Sequence, residues 1–187
     1  MQVPLWRRRS GRVVAAMLAA FLPLTLGASG AGTEDVETSA SVQTRVCIDA
    51  DQRAIHFELR FGPGTSLRLF EDWFPWYSNR SIVLKVVRPD RFDGVLPEIR
   101  PVSDPDGAGV RVEGGTQLRG ELRLDERFRT LAKVLRETDV VVFWAFRLRT
   151  TGGRSSDLAA GAFVLKRQGS VGNGQTDCVE RLLHFKT

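Results

Sequence analysis

Polar and apolar residues alternate with a period of two in the stretch beginning at residue 42. Val42, Thr44, Val46 and Ile48 alternate with Gln43, Arg45, Cys47 and Asp49, and Ile55, Phe57, Leu59 and Phe61 alternate with His56, Glu58 and Arg60. That period marks strands with one wet face. Cys47 then lies on the more polar face of the first, and Asp49-Ala50-Asp51-Gln52 forms the turn between them. Further on, Val140-Val141-Val142-Phe143-Trp144-Ala145-Phe146-Arg147-Leu148 is a nearly unbroken apolar run, rich in β-branched and aromatic residues, between a polar turn and a Gly-Gly loop. Such a run predicts a central strand covered on both faces.

The remaining pattern fills in around these segments. Gly62-Pro63-Gly64 ends the second strand, residues 66–70 predict a short strand, and the mostly apolar residues 81–88 predict one inside a sheet. Between 89 and 109, breaks at Pro89-Asp90, Asp93-Gly94, Leu96-Pro97 and Asp104-Pro105-Asp106-Gly107 leave room only for a short edge strand over 98–102. Residues 110–112 and 117–124 flank Glu113-Gly114-Gly115 and predict a hairpin. Asp125 is placed to cap a helix whose apolar face is Phe128, Leu131, Ala132 and Leu135. Strands over 162–166 and 179–185 follow, joined by a Gly-rich connector at 169–174.

About eight short strands and one short helix before the central strand predict an all-β fold, an antiparallel β-sandwich. A helical turn, Asp139, and then Val141, Phe143 and Ala145 at alternate positions resemble the E–F corner and F strand of immunoglobulin-like domains. The resemblance implies an immunoglobulin-like sandwich, with Phe143 standing for the corner tyrosine and Ala145 for the core cysteine, so the corner hydrogen bond and the intersheet disulfide are both missing. It implies no functional residue, because this fold hosts unrelated activities.

Charge changes the picture once its position is considered. The formal charge is +5, but Arg7, Arg8, Arg9 and Arg12 fall in the first 31 residues, which contain no Asp or Glu, leaving +1 for the rest. This basic start, the apolar stretch over 13–26 and the small residues Gly27-Ala28-Ser29-Gly30-Ala31-Gly32 have the layout of a signal peptide over 1–31. The apolar stretch falls short of the about 20 residues a membrane span needs. Cleavage would leave a disordered lead-in over 32–41 and a single sandwich domain over 42–187, periplasmic or secreted. The dominance of Arg over Lys points to a GC-rich bacterial genome. In an oxidising compartment Cys47 and Cys178 are expected to form a disulfide that ties the two ends of the domain together.

Candidate chemistry is sparse. His56 and His184, with two oxidised cysteines, supply too few ligands for a metal site, and no G-x-S-x-G marks a nucleophile. Asp104-Pro105-Asp106-Gly107 lacks the later ligands of a calcium loop, and residues 169–174 lack the Lys of a phosphate cradle. With little net charge outside the leader, nucleic acid is not expected as a partner. No cofactor, metal or catalytic residue is predicted. Trp73-Phe74-Pro75-Trp76-Tyr77 places four aromatic rings in five residues of a loop-like segment. Trp73, Phe74, Trp76 and Tyr77 then either grip a ligand or partner, or fold back to plug an open end of the sandwich. The expectation is a non-enzymatic protein that binds an envelope or secreted partner. The alternatives are an inhibitor or immunity-type protein of a secreted hydrolase, and a carbohydrate-binding module.

Overall fold

The computed structural model describes residues 40–77, 81–91, 93–99, 108–168 and 177–185. The leader, nearly all of the lead-in, Asp104-Pro105-Asp106-Gly107 and the connector at 169–174 lie outside the described residues, as does the predicted edge strand beyond Ile99. The fold is an all-β sandwich built from antiparallel pairs, with strands β1 (Ser41–Asp49), β2 (Ala54–Phe61), β3 (Ser66–Phe70), β4 (Ile82–Val87), β5 (Gly109–Glu113), β6 (Gln117–Arg123), β7 (Val140–Phe146), β8 (Ala159–Leu165) and β9 (Asp177–His184). One layer is the sheet β6-β2-β1-β9 and the other contains β4-β7-β8, while β3 and β5 form a two-stranded sheet. Leu69 bridges to Thr150, so β3 runs beside the chain that leaves β7.

The alternating residues of β1 and β2 do what their period demands. Val42, Thr44, Val46 and Ile48 are buried beside Ile55, Phe57, Leu59 and Phe61, and their polar neighbours point outward. From the opposite layer, Ile82, Leu84, Val86, Val140, Val142, Trp144, Phe146, Phe163 and Leu165 complete the same core. The Phe57 and Phe146 rings meet edge to face across the layers, with centroids 5.9 Å apart.

Four expectations are corrected. First, β7 is the middle strand of its sheet, but only one face is covered: Val140, Val142, Trp144 and Phe146 are buried, whereas Phe143 is 48% exposed. Phe143 and Ala145, matched by the resemblance to core positions, therefore face outward. Second, β7 is the one named strand that pairs with β4, which is an edge strand of that sheet with only an isolated bridge from Val87 to Val95 on its other side. Third, β5 and β6 are not a hairpin. The turn between them forms, with the Thr116 amide donating to the Glu113 carbonyl at 3.0 Å and Gly115 at φ 83°, but β5 pairs with β3 and β6 with β2. The turn carries the chain from one sheet to another, and the long-range pairings decide the outcome. Fourth, the single capped helix is two shorter ones, α1 (Leu124–Arg127) and α2 (Leu131–Glu137). Phe128, at φ −132° and ψ 86°, interrupts them so that its side chain can enter the core, and Asp125 sits inside α1 rather than capping it.

Candidate functional site

The aromatic segment begins in a single 3-10 turn, Glu71–Trp73, and divides its rings between core and solvent. Phe74 is buried; the Trp76 ring stacks on it at 5.2 Å and 6° and also meets Phe57 at 6.1 Å. Gly120, opposite Phe57 on β6, leaves the space that the indole fills, because a Cβ there would lie 1.9 Å from Trp76 Cδ2. Trp73 is half-buried under the Arg149 guanidinium, 5.3 Å from the ring centroid, and Tyr77 is exposed. Phe74 and Trp76 therefore pack against the core, and Tyr77 is the most exposed of the four rings.

Two outward surfaces emerge that residue spacing could not reveal. On the β4-β7-β8 sheet, register sets the side chains in three ranks: Val83 beside Ala145 and Ala160, Lys85 beside Phe143 and Ala162, and Val87 beside Val141 and Val164. Eight of these nine positions are apolar. The outward face of an antiparallel sandwich is ordinarily polar, yet Val83, Phe143 and Val164 are 62%, 48% and 46% exposed. Leu158, also exposed, stands just before the start of β8. At the other end of the sheet Asp139 accepts hydrogen bonds from the Arg167 amide at 2.7 Å and the Lys166 ammonium at 3.1 Å, which hold its carboxyl below the ordinary carboxylate range. Lys85 and Arg147 have no acidic partner among the described residues.

The outward face of β6-β2-β1-β9 is the opposite kind of surface. Glu58 is shared between Arg60 and Arg119, Arg45 faces Glu180 at 3.8 Å, and His56 Nδ1 lies 3.8 Å from the Glu121 carboxylate. The Cys47–Cys178 disulfide forms, linking directly opposed residues of β1 and β9. A cleft of about 460 Å³ opens over this face, lined by Cys47, His56 and Glu121 together with Arg45, Glu58 and Arg119. His184 closes β9 away from the cleft.

No group of three or more His, Cys, Asp or Glu gathers as a metal cage among the described residues. No helix among them is long and apolar enough to cross a membrane. No protein-family model and no curated protein matches the chain.

Proposed function

We propose that this is an exported binding protein without catalytic activity, and that its partner is another protein held against the outward face of β4-β7-β8. The observation that carries this reading is the nine-position face with eight apolar side chains, left uncovered on a sandwich whose other outward face is a ladder of paired charges. Contiguous apolar patches on the surface of a monomer are often functional. Three strands about 4.8 Å apart, each offering three outward positions about 6.8 Å apart, make a footprint of about 14 by 20 Å. This suits one amphipathic helix of roughly thirteen residues better than a second copy of the chain, which would need about 800 Å² per partner. Lys85 within the face and Arg147 at its end favour acidic residues along the flank of that helix. The layout of residues 1–31 and the disulfide support an exported setting.

The test compares wild type with Phe143→Glu and Val83→Glu in capture from envelope and secreted extracts, followed by identification of what is retained. Both side chains are about half exposed or more, so the variants should fold with little loss of stability. Loss of one defined partner, restored when that partner is added back pure to wild type only, supports the reading. Unchanged capture by both variants refutes it. A concentration-dependent dimer that Phe143→Glu abolishes would show that the face meets a second copy instead.

A further inference from the structure

The register of β9, β1, β2 and β6 lines up four reactive groups in one rank across the outward face: Cys178, Cys47, His56 and Glu121, each directly opposite the next. Opposed side chains on antiparallel strands have Cβ atoms about 4.5–5.5 Å apart. His56 is therefore the cross-strand neighbour of the Cys47 sulfur, with Glu121 behind it, 3.8 Å from His56 Nδ1. On the other side of the bond, Arg45 Nη2 donates to Cys178 Sγ at 3.7 Å. Cys178 is exposed and Cys47 half-buried, and the cleft opens above Cys47 and His56. A disulfide that serves only as a staple needs neither an approach from solvent nor a proton donor beside it.

We propose that this rank is a thiol–disulfide exchange site whose co-reactant is an external dithiol. The incoming thiolate attacks Sγ of Cys178, the more exposed residue of the pair, drawn there by the Arg45 guanidinium, whose charge Glu180 only partly offsets at 3.8 Å. A new S–S bond joins the dithiol to Cys178 as the old one breaks, and its electron pair leaves with Cys47, next to the His56 imidazole. The second thiolate of the dithiol then attacks its own sulfur in the mixed disulfide and releases Cys178. The dithiol is oxidised by two electrons, and Cys47 and Cys178 are reduced by two and take up the two protons it gave up. The leaving sulfur departs faster the better its negative charge is met, which is the role assigned to His56, oriented by Glu121.

Reduction has a structural consequence confined to one strand. Of the side chains on β9 only Leu183 is buried, and the part from Asp177 to Glu180 is held by its ladder with β1 and by the disulfide. Opening the bond leaves that part of an edge strand held by its ladder with β1 and by Val179, which packs partly against the core.

The test uses the full chain under native conditions. Sulfite is the mapping probe, since it adds to one sulfur of a disulfide and expels the other as a thiolate; peptide mapping should find the S-sulfonate on Cys178 and the free thiol at Cys47. Dithiothreitol is the kinetic probe. Its rate of opening the bond should be independent of low concentrations of urea and should fall about a hundredfold in His56→Gln, the lower end of a general-acid contribution. It should be unchanged in His184→Gln, a control outside the rank. His56 is about 40% exposed at the side chain, so its replacement should leave the fold intact, which circular dichroism checks. The assignment is overturned if the bond opens only as the chain unfolds, if the sulfonate is found on Cys47, or if His56→Gln and His184→Gln behave alike.

Discussion

Replacing Gly120 by Ala tests the packing of the aromatic segment most directly. The added Cβ would lie 1.9, 2.2 and 2.5 Å from three atoms of the Trp76 ring. The indole cannot slide aside cheaply, because it is stacked on Phe74 at 5.2 Å and against Phe57 at 6.1 Å. Overpacking a filled site costs about 1–3 kcal/mol. Expelling the ring altogether would forfeit part of the about 3–5 kcal/mol attached to a fully buried large aromatic, and only part, because Trp76 is half-buried. The expected loss is about 2–3 kcal/mol, or roughly 5–10 °C in Tm for a chain of this size. In a Trp76→Ala background the obstacle is gone, and the same change should be neutral or stabilising by about 0.5–1 kcal/mol, since Gly within a strand costs that much relative to Ala. Urea unfolding of the four proteins followed by circular dichroism gives the coupling energy, expected at about 3 kcal/mol. Effects that add within about 0.5 kcal/mol, the behaviour of independent sites, would refute the contact and return Trp76 to the pool of candidate binding residues.

Gly161→Ala repeats the logic in the other layer: its Cβ would lie 2.6 Å from Trp144 Cζ2, and Trp144 is buried, so a loss of about 2–3 kcal/mol is expected by urea titration. Arg127 and Glu98 form a nearly buried ion pair at 2.8 Å, so Arg127→Ala should cost about 3 kcal/mol, while Arg127→Met with Glu98→Leu should recover much of it, as thermal unfolding will show. Asp139 has a folded pKa below its unfolded value near 3.9, so its contribution is present above that value and disappears as pH falls through the folded one. Asp139→Asn should therefore be less stable than wild type at neutral pH, with the gap closing as urea titrations are carried below about pH 4.

The residues with a strict period were readable in advance. In β1 and β2 every second side chain is polar, so direction follows from composition, and both strands and the wet face of Cys47 came out as expected. In β7 both sets of alternate residues are apolar, so the sequence carries no parity and an uncovered face looks the same as a covered one. The turn at Glu113-Gly114-Gly115 is local chemistry and was legible, whereas the choice of β2 and β3 as partners depends on residues about forty to seventy positions away. Isolated glycines inside strands mark close approach, and Gly120 and Gly161 lie where the two tryptophans press on the backbone. The rank from Cys178 to Glu121 is invisible without register, since its members come from four strands.

The pairing of β1 with β9 constrains the order of events when the protein is made. Ser41 meets His184 and Cys47 meets Cys178, so the first strand to emerge waits for the last before one of its edges is sealed. A ladder that spans the domain in this way raises the contact order and slows folding. Until β9 arrives, β1 presents a bare template to any other nascent copy. Because β9 brings only Leu183 and, in part, Val179 into the core, a neighbouring molecule's β9 could fill that place almost as well. Strand exchange between chains is thus the misassembly this topology invites, and the covalent link from Cys47 to Cys178 of the same chain holds the correct partner for as long as the bond stays oxidised.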